Sequence, residues 1–95
     1  MTQDITTITS RRLSQTVAAN VRAEAARAGM INTTIAPNLD MKAGQVGRKM
    51  RGVVPFTIDE LGILAGLFGH VREDGTPDLT EFFRITQKAS LHAAA

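Results

Sequence analysis

The stretch IAPNLDMKAGQVGRKM, residues 35–50, decides how this chain is read. Ile35, Ala36 and Leu39 have the spacing of a short helix's apolar face. Pro37 lacks a backbone donor and clashes with the turn before it, so this helix is expected to be short, kinked or displaced towards its own start. Asp40 then falls where the chain must turn, and Asp is one of the few residues that tolerate positive φ there. A second helix follows over Lys42 to Arg51. Its apolar stripe is narrow, Val46 and Met50 four apart, and leaves Ala43, Gly44, Gln45, Arg48 and Lys49 for the rest of its surface. Gly44 and Gly47 each cost roughly 1 kcal/mol against Ala inside a helix, so this one must be held by docking onto its neighbours.

Upstream, Val17, Ala18, Val21, Ala25 and Ala28 recur at spacings of three and four, which predicts a helix from Ser14 to Ala28 stopped by Gly29. Its other side carries Arg22, Glu24 and Arg27 and reads as a solvated face. The start, MTQDITTITS, alternates Thr and Ile but has no strand to pair with, so residues 1–12 read as a flexible arm. Such an arm reads first as a disordered start with no role of its own; the lesser reading has Arg11 and Arg12 at its end touching DNA, as homeodomain arms do. Downstream, Gly52 to Pro55 is a break. Thr57 and Glu60 then form a capping box that opens a helix with Ile58, Leu61, Leu64, Ala65 and Phe68 on its buried face and Gly69 at its end. Thr76, with Pro77 at the first helical position, predicts a last helix carrying Leu79, Phe82, Phe83 and Ile85 and fading into an Ala-rich tail.

Composition agrees with helices. The chain has 95 residues, 43% of them apolar, with no Trp or Tyr, which is material for one compact core built through small side chains. The expectation is an all-α fold, a compact bundle of about five short helices, divided into the arm at 1–12, a main helical domain at 13–70, and a C-terminal helix and tail at 71–95. The formal net charge of +2 is too small to imply a polyanionic partner by itself. Its distribution says more: between Met41 and Ile58 the charged residues are Lys42, Arg48, Lys49 and Arg51, all basic.

Several function classes find no support. There is no cysteine, and His70 and His92 are too far apart for a metal spacing, so no metal or other cofactor is expected. There is no nucleophile and base pair and no glycine-rich phosphate loop, so neither an enzyme nor a small-molecule substrate is expected. His70, just after a helix end, reads as a cap complementing the helix dipole. No apolar run reaches the length of a membrane span and the start lacks the pattern of a secretory signal, which makes the cytoplasm the expected location.

The order of Val21, Gly29, Ile35-Ala36, Leu39, Met41, Val46, Arg48, Gly52 and the PFTIDEL run over residues 55–61 resembles the xenobiotic-response-element family. These are the Cro- and C1-type helix-turn-helix repressors of phages and actinobacteria, with a lambda-repressor-like fold. The resemblance runs from about Leu13 to Gly69. It implies that Ile35-Ala36 lies on a support helix, that Leu39-Asp40-Met41 makes the turn, and that Val46 anchors a recognition helix over 42–51. Lys42, Ala43, Gly44, Gln45 and Arg48 would then face base edges, while Asn32, Thr33, Lys49 and Arg51, with Lys42 as well, would meet phosphates. The sequence departs from the family pattern at Ile31 and Lys42, where capping residues are usual, at Pro37 inside the support helix, and at Asp40 in place of a turn glycine.

The implied function is a sequence-specific regulator of transcription that binds a double-stranded DNA operator. A helix about 10–12 Å across fits a major groove about 12 Å wide, in which each base pair shows a distinct pattern of donors and acceptors. Arg48 is suited to guanine and Gln45 to adenine, and phosphate contacts position the protein without reading sequence. Such domains usually act as homodimers, with half-sites about 34 Å apart. Phe82 and Phe83 are candidates for the dimer surface, although Phe82 equally suits the monomer core. The alternative reading is a degenerate helix-turn-helix that binds a protein, as an antirepressor or a control subunit does, since Pro37, Asp40 and Gly44 suit a site relaxed from DNA contact.

Overall fold

A computed structural model describes the backbone of residues 2–85 and the side chains of residues 12–85. It is an all-α bundle. Among the described residues are four helices, α1 (Thr2–Ala28), α2 (Asn32–Ile35), α3 (Ala43–Met50) and α4 (Ile58–Leu67), with one 3-10 turn, Ala36–Leu39, between α2 and α3 and another, Thr80–Phe83, after α4. Val21, Ile35, Val46, Leu64 and Phe82 are the largest fully buried side chains among the described residues, one from each of the four helices and one from the turn Thr80–Phe83. No single helix is therefore self-sufficient, and each apolar stripe is completed by the others.

α1 begins at Thr2, so the helix expected from Ser14 continues back through the residues read as an arm. Nothing between Thr2 and Leu13 is Pro or Gly, and the alternating Thr and Ile, taken for irregular chain, are only weakly unfavourable in a helix. The apolar side of α1 is as expected, with Val17, Ala18, Val21 and Ala25 buried. Its opposite side is not a solvated face throughout. Glu24 is buried, at 6% exposure, because the chain after α4 returns across it.

The support segment follows the proline logic. α2 makes one turn, and the helix tightens into the 3-10 turn Ala36–Leu39 at Pro37. Asp40 closes it in the left-handed conformation, φ 53°, with its N–H returning to the carbonyls of Ala36 and Pro37. In α4 the Thr57 hydroxyl accepts from the Glu60 N–H and the Glu60 carboxylate accepts from the Thr57 N–H, the full capping box. Leu61, Leu64 and Ala65 are buried, but Ile58 is 65% exposed. As the first residue of α4 it lies beyond the edge of the core.

The last expected helix does not form. Arg72 N–H bonds the Thr76 carbonyl, Gly75 turns the chain at φ 88°, and Val71 pairs with Pro77 in a single antiparallel bridge. Two Asp-x-Thr units supply the local reason. The Asp74 carboxylate accepts from the Thr76 N–H and hydroxyl, and the Asp78 carboxylate does the same for Thr80. These bonds hold both carboxyls below their ordinary range and satisfy the backbone without a helix. Only the turn Thr80–Phe83 remains, and it plugs Phe82 into the core edge-on to Phe68 and to His70, each at 6.1 Å between ring centres. Phe82 thus closes the monomer, while Phe83 is 40% exposed. Asn20 on α1 secures this end by donating to the carbonyls of Phe82 and Arg84. The Ala-rich tail over 86–95, His92 and the Arg11 side chain lie outside the described residues.

Among the described residues, no helix is long and apolar enough to cross a membrane and no cluster of side chains has the makings of a metal site.

Candidate nucleic-acid interface

α3 divides its residues cleanly between core and surface. Val46, Gly47 and Met50 are buried, whereas Lys42, Gly44, Gln45 and Arg48 are exposed and Ala43 is half-buried. Val46 is the anchor its position suggested. α2 lies beside Gly47, where a Cβ would stand at ordinary contact, 3.6 Å, from the Asn32 amide and 3.3 Å from the movable end of the Arg51 side chain.

The start of α3 is only half capped. Lys42 has extended backbone and its N–H donates to the Gln45 side-chain oxygen at 2.9 Å. The lysine ammonium has no acceptor to offer the helix in return, so the reciprocal bond of a capping box is absent. Gln45 therefore spends its oxygen on the cap and keeps its amide NH₂ for solvent. Arg48 is exposed and carries the longest unengaged polar side chain on this edge.

The end of α3 is held from two directions. Arg22 of α1 donates to the Met50 carbonyl, the last of the helix, where a cation also meets the negative end of the helix dipole. From the other side, Lys49 donates to the Glu60 carboxylate at 2.7 Å and to the Pro55 carbonyl at 3.3 Å. Its side chain is 13% exposed. Burial pushes the Glu60 carboxyl up, but the Lys49 hydrogen bond and charge, together with two bonds from Thr57, outweigh that and hold it below 4.5. Lys49, expected among the phosphate contacts, is thus engaged within the fold.

Thr33 and Arg51 are exposed and Asn32 is half-buried. All three line a shallow groove between α1, α2 and α3, along with Arg22 and Met30. Ile31 precedes α2 without a side-chain cap and is 66% exposed at the groove's rim. The structure therefore brings Asn32, Thr33 and Arg51 together on one surface, and Lys42, Gln45 and Arg48 along one edge of α3. Sequence reasoning missed Arg22, read as a solvated cation, and Glu60, read only as a cap. The i to i+3 spacing of Thr57 and Glu60 gave no sign of the second bond, because Lys49 reaches Glu60 from another helix.

A family model described as BetR domain matches residues 4–76. Comparison with curated proteins and with solved structures gives no match.

Proposed function

The chain belongs to the BetR domain family, and from that premise we propose that it is a sequence-specific regulator of transcription that binds double-stranded DNA through α3. The observation that carries this reading is the division of α3 into a buried side at Val46, Gly47 and Met50 and an exposed edge at Lys42, Gly44, Gln45 and Arg48. An exposed helix edge with long polar side chains and no acid fits the major groove, where Arg48 would take guanine and the free amide of Gln45 an acceptor. Arg51, Asn32 and Thr33 would meet the phosphates beside it. In the phage-type arrangement two copies would act as a dimer on adjacent half-sites and repress transcription.

Few side chains are free to read bases, since Ala43 and Gly44 carry no polar group and Gln45 is partly committed to its cap. Sequence-dependent DNA shape is therefore expected to contribute to specificity. The same scarcity favours a second reading, in which this surface binds a protein.

Selection of bound duplexes from random-sequence DNA, repeated at two salt concentrations, separates the two. The DNA reading expects an enriched sequence and an affinity that falls log-linearly with salt. No enrichment together with salt-independent behaviour would favour the protein partner.

A further inference from the structure

We infer that Glu60 is a positioning residue for the recognition helix, holding the end of α3 through Lys49, and that Lys49 acts inside the fold instead of on a DNA phosphate. The inference rests on the reading of α3 as the DNA-binding helix.

One carboxylate oxygen of Glu60 receives both the Lys49 ammonium, at 2.7 Å, and the Thr57 N–H, at 2.8 Å. The cap of α4 and the last turn of α3 are therefore fastened at a single atom. Lys49 adds the Pro55 carbonyl, so its ammonium also ties down the connection from α3 to α4. With 13% and 16% exposure, the two side chains are shielded enough for the bond to persist in salt that would screen a surface pair. The segment between them, Gly52 to Pro55, has Val53 and Val54 exposed. Little apolar burial fixes these two side chains, and the ion pair ties the α4 side of the junction as Arg22 on the Met50 carbonyl ties its α1 side. α3 needs such a tie. It has eight residues, two of them glycine, and half a cap at its start, so its direction depends on what grips its other end.

Positioning and electrostatics predict opposite signs for one substitution. Glu60→Gln removes an acid near the proposed DNA surface and the negative charge that holds Lys49, which by charge alone strengthens binding. If Glu60 positions α3, binding weakens instead. Glutamine keeps an oxygen for the Thr57 N–H, so the cap and fold survive.

The test measures the anisotropy of a labelled duplex, recovered by selection from random-sequence DNA on the full chain, across a salt series. Circular dichroism at the assay temperature confirms that each variant is folded. Glu60→Gln is expected to weaken binding about tenfold at every salt concentration, the size of a lost charged hydrogen bond. Lys49→Met is expected to weaken it with no change in the salt slope, whereas loss of a phosphate contact would lower that slope by about one. The double variant loses no more than the larger single loss, because the two groups act as one unit. Unchanged or tighter binding by Glu60→Gln, or a lower salt slope for Lys49→Met, overturns the inference while the DNA reading stands. A wild-type chain that binds no duplex overturns both.

Discussion

The Glu24 carboxylate and the Nε2 of His70 lie 2.6 Å apart, joining α1 to the chain just beyond α4 across 46 positions of sequence. The Glu24 side chain is 8% exposed and also faces, at 3.5 Å, Arg27, which is itself in solvent. A carboxylate this enclosed costs stability unless its oxygens are met, so His70 is the partner that makes the burial tolerable. His70 stands where Gly69 ends α4, and its N–H returns to the Ala65 carbonyl. Backbone and ring together fix the return of the chain towards Phe82.

His70→Ala should accordingly cost roughly 1–3 kcal/mol in urea unfolding, the size of a buried acceptor losing its donor. Replacing Glu24 and His70 together by Leu should cost less than the sum of the two single changes, as expected for groups that satisfy each other. A loss below about 0.5 kcal/mol for His70→Ala, which is the scale of an ordinary surface change, would show that Arg27 suffices for Glu24.

Acid should weaken the junction of α3 and α4 in a defined direction. The folded-state pKa of Glu60 is depressed below its ordinary 4.5. Its contribution is therefore fully present above that value and is lost as pH falls through the lower, folded value. Between neutral pH and the acid range, the stability of Glu60→Gln should decline less than that of the wild type. Parallel pH profiles for the two proteins would contradict the assignment.

Asp40 occupies the left-handed region at φ 53°, where a Cβ is strained and alanine has no side-chain oxygen to compensate. Asp40→Ala should cost about 1 kcal/mol, whereas Asp40→Gly should not destabilise the fold. Thermal melts of the two variants settle the point, and equal melting temperatures would count against it.

Arg48→Ala should cost roughly 1–3 kcal/mol on the selected sequence and relax preference at one base position. Arg51→Ala, at a proposed phosphate contact, should weaken all duplexes alike and lower the salt slope by about one. Competition binding against a panel of single-base variants reads both effects. An Arg48→Ala protein with unaltered affinity and preference would remove α3 from the major groove.

Features whose causes lie within a few residues of one another were legible in the order of residues alone. Pro37 shortened the support helix, Asp40 made the turn, Thr57 and Glu60 capped α4, and Val46 with Met50 set the buried side of α3. Each follows from a dihedral restriction, a local hydrogen bond or a helical period. Features whose partners are distant in the chain came from packing. Glu24 is buried because His70 returns to it, Arg22 reaches the end of α3, Lys49 is drawn to Glu60, and Asn20 holds the chain at Phe82. The last expected helix was lost for a subtler reason, because Asp74 and Asp78 gave Thr76 and Thr80 local hydrogen bonds that compete with helix formation. A charged side chain on a helix reads as solvated until the chain that covers it has been placed. Helical period shows where such a group sits on its own helix, and only packing shows what it meets.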